Sequence, residues 1–108
     1  MLPAYSNDAP ERATLDATAG SLVVEFGSNE CGICRATLPL IAAAMAATTV
    51  PHLRIQDGKG RRLGRSYGVK LWPTMVLLQD GREIARIVRP QTAAEITAAL
   101  PKLILPLG

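Results

Sequence analysis

Leu22-Val23-Val24-Glu25-Phe26-Gly27-Ser28-Asn29-Glu30-Cys31-Gly32-Ile33-Cys34-Arg35 carries three signals in a row. Leu22 to Phe26 is a near-continuous apolar run with β-branched and aromatic content, the pattern of a strand buried on both faces. Gly27 stops it. Arg35 to Ala47 is rich in Ala, Leu and Met and predicts a helix. Pro39 inside that segment predicts a kink. The two cysteines therefore fall where a strand has ended and a helix begins. A helix N-terminus presents unpaired N–H groups and a partial positive charge, and both favour a thiolate. Cys34 lies one turn inside Cys31, on the same helix face at i+3. The two sulfurs can bond with little backbone movement. Cys31 is the candidate attacking thiol and Cys34 the candidate resolving thiol of a disulfide exchange.

The rest of the chain supplies partners for that strand. Pro10 to Ala19 reads as a short helix with its cap near Asp8 or Ala9, preceded by an irregular lead-in over residues 1–9. Val50 to Gln56 reads as a strand, Asp57 to Gly60 as a loop, and Arg61 to Tyr67 as a short helix. Thr74 to Leu78 and Glu83 to Val88 are strands joined by Gln79-Asp80-Gly81-Arg82, with its Asp-Gly hairpin signal. Thr92-Ala93-Ala94-Glu95 is a capping-box pattern that opens a last helix, which Pro101 ends or bends. The order α-β-α-β-α-β-β-α implies an α/β fold, a central mixed sheet with helices on both faces.

Composition narrows the classes. The chain has 108 residues, 48% of them hydrophobic, enough for a single domain over 1–108 with one real core. No apolar run approaches the ~18 residues of a membrane span. The opening Met1-Leu2-Pro3-Ala4-Tyr5 lacks a basic and then apolar leader pattern, so a cytoplasmic location is the expectation. The net charge of +3 includes a cluster at Lys59, Arg61, Arg62 and Arg65. With no aromatic platform or nucleic-acid motif beside it, the cluster reads as a solvated loop rather than a nucleic-acid site. Two cysteines spaced as a close pair suit redox chemistry or metal binding. Zinc wants four ligands, and one distant histidine, His52, does not complete a set, so no metal site is expected.

The quoted stretch resembles the active-site strand and helix of the thioredoxin family. Tyr67-Gly68-Val69-Lys70-Leu71-Trp72-Pro73-Thr74 is similar to that family's segment ending in a cis-proline and Thr, and Pro39 matches its helix-kinking proline. The resemblance covers roughly residues 10 to 104. It implies a thioredoxin-like fold and a protein-disulfide oxidoreductase with a redox-active Cys31–Cys34 pair and no other cofactor. It implies that Cys31 is the nucleophile and Cys34 the resolving thiol. Glu25 takes the place of a buried acid that helps move the second cysteine's proton. Gly32, Ile33, Trp72 and Pro73 are expected to meet the substrate, the backbone before Pro73 pairing with an extended peptide. The partners implied are protein disulfides and a thioredoxin-reductase-like or glutathione-linked electron donor, for a monomeric protein without nucleic-acid or membrane partners.

Several residues depart from the family pattern. Glu30 replaces the usual Trp, and a carboxylate there is expected to disfavour the Cys31 thiolate. Ile33 replaces the usual Pro between the cysteines. Trp72 is read as a partly exposed platform beside the cysteines rather than a core residue. His52 is read as an ordinary strand-end histidine rather than a partner of Glu25. Arg89-Pro90 replaces a small turn near the substrate groove. These departures leave open an alternative, a weakly active or inactive thioredoxin-fold protein-binding module.

Overall fold

A computed structural model describes residues 2–103; Met1 and residues 104–108, the ends of the expected 1–108 domain, lie outside the described residues. The elements are α1 (Arg12–Asp16), β1 (Ser21–Gly27), α2 (Gly32–Ala46), β2 (His52–Gln56), α3 (Arg62–Ser66), β3 (Thr74–Gln79), β4 (Arg82–Val88) and α4 (Ala93–Ala99). A 3-10 turn, Leu100–Lys102, holds Pro101. The strands lie in the order β2-β1-β3-β4. β1 and β2 are parallel, and β3 is antiparallel to both β1 and β4. This is the expected mixed sheet.

Period-2 alternation along the buried strands sorts side chains to two helical layers. Val23, Met75 and Leu77 pack with Ile41 and Met45 of α2 and Ile96 of α4. Val24, Phe26, Ile55 and Val76 pack with Leu15 of α1 and with Leu63 and Tyr67 around α3. Each large side chain buried this way contributes about 1.5–3 kcal/mol relative to exposure. By the same alternation Glu25 shares the face of Val23, under α2.

Local chemistry fixes the boundaries. α1 is shorter than Pro10 to Ala19: it starts after Glu11, has no side-chain cap and buries only Leu15. So short a helix gains little beyond that one contact. α2 begins earlier than Arg35, because Cys31 is itself the N-cap, its Sγ accepting the Cys34 N–H at 3.2 Å. The helix runs on through Pro39. In the β3–β4 turn Asp80 and Gly81 have φ of 52° and 81°, as a two-residue hairpin turn requires. A Cβ at Gly81 would also overlap the Asp16 carbonyl. Thr92 and Glu95 make the reciprocal capping box that opens α4.

The lead-in is not irregular throughout. Ser6 forms a parallel bridge with Ile55: its N–H donates to the Arg54 carbonyl at 2.8 Å, and its carbonyl accepts from Gln56 N–H at 2.9 Å. The chain before α1 thus runs along the outer edge of β2, covering an otherwise open strand edge. That pairing carries Tyr5 into the interior.

Candidate active site

The Gly27–Cys31 connection delivers the two thiols to the start of α2. Cys31 is half-buried and Cys34 is 2% exposed. Desolvation opposes ionisation of Cys31. Hydrogen bonds from the Cys34 thiol and from the Cys34 and Ile33 main chain, with the charge of Arg89, outweigh it and hold the thiol below its ordinary value. Burial pushes the Cys34 thiol up to about 11, reinforced by its bond to Cys31 and opposed by the Ser28 main chain and the Tyr5 hydroxyl. One outer thiol is acidified and one inner thiol stays protonated, an asymmetry suited to sequential attack and resolution.

Glu25 is fully buried and closely paired. Its register partner on β2 is Arg54, which is 6% exposed. Arg54 Nε and Nη2 donate to Oε1 and Oε2 at 3.0 Å each. His52 Nε2 lies 2.9 Å from Oε1. The Tyr5 hydroxyl donates to Oε2. Burial alone would raise the Glu25 pKa, but the bonds from His52, Arg54 and Tyr5 and the Arg54 charge bring it below the ordinary carboxylate value. The reading of His52 as a mere strand-end residue is therefore wrong: its ring is on the carboxylate, because His52 shares the face of Arg54 on β2. Arg54 and Tyr5 were not anticipated at all. The available signal was a buried acid on β1, which demands a cation on a neighbouring strand.

Tyr5 is 5% exposed and is anchored at several points. Its N–H donates to Asn29 Oδ1 at 2.9 Å and its carbonyl accepts from Asn29 Nδ2 at 3.1 Å. The Arg54 guanidinium sits 4.0 Å from its ring centroid. The ring lies against Gly27, where a Cβ would overlap Cζ and the hydroxyl. A cavity of about 290 Å³ adjoins, lined in part by Tyr5, Ser28, Asn29, Cys34, Arg35 and Arg54.

The remaining expected residues lie on the first turn of α2 and on the segment before β3. Gly32 and Ile33 form the exposed first turn of α2, Ile33 being 41% exposed. The Trp72–Pro73 bond is cis and Pro73 is fully buried. Trp72 is half-buried, with its indole N–H donated to Asp57 Oδ2 at 2.8 Å. The ring also lines a cavity of about 380 Å³ with Asp57, Lys59, Arg61, Arg65 and Lys70. Arg89, at a left-handed φ of 48°, donates from Nε to the Trp72 carbonyl at 2.8 Å and from its main chain to the Pro73 carbonyl at 2.9 Å. The Glu30 carboxylate accepts from Ser28 Oγ at 2.8 Å. The cation of Arg89 lowers the Cys31 pKa.

Among the described residues no group of three or more His, Cys, Asp or Glu is placed to hold a metal ion, and no helix is long and apolar enough to cross a membrane. A family profile described as Thioredoxin matches residues 6–102. The chain is 32% identical over 73 residues to a thioredoxin of Chlamydia pneumoniae, covering 65% of this chain and 70% of that one. The solved structure of reduced thioredoxin 2 from Pseudomonas aeruginosa PAO1 superposes with a TM-score of 0.85 at 50% identity, over 94% of this chain and 95% of that one. A thioredoxin from Nicotiana alata superposes with a TM-score of 0.70 at 27% identity, over 84% and 79%. With its paired cysteines and this fold, the chain belongs to the thioredoxin family and is a thiol–disulfide oxidoreductase of protein disulfides that needs no cofactor.

Proposed function

We propose that Cys31 is the nucleophile and Cys34 the resolving thiol in reduction of protein disulfides. The observation that carries the assignment is the difference between the two thiols: Cys31 is accessible and acidified at the N-cap, and Cys34 is buried one turn inside it with its N–H on the Cys31 sulfur. The Cys31 thiolate attacks one sulfur of the substrate disulfide, and the other substrate sulfur leaves as a thiolate. Cys34 then attacks Cys31, forming the Cys31–Cys34 disulfide and releasing the second substrate sulfur. Glu25 manages the proton of Cys34. Gly32, Ile33, Trp72 and Pro73 form the surface against which the substrate chain lies.

A peptide pairing with the Trp72 carbonyl must share or displace the Arg89 donor already there. We place the protein, as a monomer of one thioredoxin-like domain, in a reducing compartment such as the cytoplasm, where a working dithiol persists. A thioredoxin-reductase-like or glutathione-linked donor returns it to the dithiol. The test is catalysed reduction of insulin with dithiothreitol as the terminal reductant. Wild type accelerates it, Cys31→Ser does not, and Cys34→Ser accumulates a mixed disulfide with the substrate. A protein that leaves the insulin disulfides at the uncatalysed rate would instead be a thioredoxin-fold binding module.

A further inference from the structure

We propose that the Tyr5 hydroxyl is the proton relay between the Cys34 thiol and the Glu25 carboxylate, a role that rests on Cys34 being the resolving thiol. The phenol donates to Glu25 Oε2, its residue lines the same cavity as Cys34, and its hydroxyl holds the Cys34 thiol lower than burial alone would. Its place is fixed from independent directions. Asn29 holds both main-chain groups of Tyr5, Ser6 is paired into the edge of β2, Arg54 covers one side of the ring, and Gly27 leaves the space the ring occupies. Positioning this strict is what proton transfer requires and simple packing does not.

The need for a relay follows from the inner thiol. Its pKa of about 11 leaves about one Cys34 in 10⁴ ionised at neutral pH, too few for rapid attack. The charged and titratable groups facing this point are Cys31 at the N-cap of α2, Cys34 in its first turn, Glu25 from β1, His52 and Arg54 from β2, and Tyr5 itself, with Arg35 at the adjoining cavity. Among them Glu25 is the carboxylate that can take a proton. It is a weak base, because Arg54 and His52 stabilise its charge. The proton therefore crosses as the new sulfur–sulfur bond forms, not in advance of it.

In the resolving step Cys34 Sγ–H gives its proton to the Tyr5 oxygen while Tyr5 gives its own to Glu25. The electron pair left on Cys34 forms the bond to Cys31. The bond between Cys31 and the substrate breaks, and its pair leaves on the substrate sulfur as a thiolate. The two protein thiols are oxidised and the substrate disulfide is reduced. Tyr5 ends unchanged, and the proton leaves Glu25 by way of the Tyr5 hydroxyl and the cavity that Tyr5 lines beside Cys34.

The test separates the two attacks. With Ellman's reagent as substrate under single-turnover conditions, the first thiolate released reports Cys31 and the second reports Cys34. In Tyr5→Phe, which keeps the ring, the ratio of the second rate to the first falls roughly tenfold. That is less than the 10²–10⁴ of a positioned acid–base group, because solvent reaching the cavity replaces part of the relay. The pH midpoint of the second release moves up. An unchanged ratio and midpoint would overturn the relay. A wild-type protein without a second release from Cys34 would instead overturn the assignment of the cysteines. If Tyr5→Phe does not fold, 3-fluorotyrosine in place of tyrosine gives the same test on a native-shaped protein. Its more acidic phenol shifts the midpoint of the second release, and an unmoved midpoint overturns the relay.

Discussion

Arg54 and Glu25 stand opposite each other in the parallel β1–β2 pair and meet as a two-bond fork, both contacts at 3.0 Å, with the carboxylate fully buried. Paired so, the carboxylate tolerates burial; alone it would not. The charge of this carboxylate is therefore set by β2 rather than by solvent.

Arg54→Met removes the cation and keeps the stem. It should cost about 3–5 kcal/mol at neutral pH, the range for breaking a buried pair on one side. The pH dependence should change sign. In wild type the folded pKa of Glu25 is depressed, so its contribution is present above the unfolded value near 4.3 and is lost as pH falls through the lower folded value. In the variant burial dominates and raises the folded pKa, so stability falls as pH rises above about 4.3. Urea midpoints between about pH 3 and 7 would show opposite slopes for this group, and parallel slopes would refute the pairing argument.

Gly27→Ala should disturb Tyr5 first. A Cβ there overlaps the phenol, so the ring must leave its place or the strand must shift, at about 1–3 kcal/mol. Combining it with Tyr5→Ala should cost less than the sum of the two single changes, because the clash has gone. Additive losses in chemical denaturation would mean that the ring does not rest on this glycine.

Arg89→Asn tests the charge beside the outer thiol. Asparagine tolerates the left-handed φ of this position, so the backbone is kept while the cation is lost. The Cys31 pKa should rise, and salt should shrink the contribution of Arg89 in the wild type. The pH profile of Cys31 alkylation at low and high salt measures both. A profile that does not move assigns the acidity of Cys31 to hydrogen bonds alone.

Trp72→Phe should leave the buried Asp57 carboxylate without its indole donor. The expected loss is about 1–3 kcal/mol in urea unfolding, and Asp57→Asn in the same background should recover part of it by removing the charge. If Trp72→Phe is as stable as wild type, the indole is held by its ring contacts and not by Asp57.

Much of this was legible from local patterns. The cysteines at a strand-to-helix junction, the Asp80-Gly81 turn and the Thr92–Glu95 box each carry their structure in adjacent residues. Glu25 stood out as a lone acid in an apolar run. His52 and Arg54 did not, because alternating polar residues in His52-Leu53-Arg54-Ile55-Gln56 read as a solvent-facing side. That side is covered by α2 and the lead-in, which only the tertiary fold brings there. Tyr5 was hidden for the same reason: its segment has no periodicity, and its order comes from a bridge to Ile55 and a side-chain pair with Asn29.

The most direct test of the account is competition between the two thiols for a limiting alkylating reagent. Fully reduced protein is treated with substoichiometric iodoacetamide across a pH series, and the label is located by peptide mass spectrometry. The account predicts label on Cys31, with a midpoint below the ordinary thiol value near 8.5, and almost none on Cys34 until well into the alkaline range. Label appearing on Cys34 first, or equally on both, would contradict it.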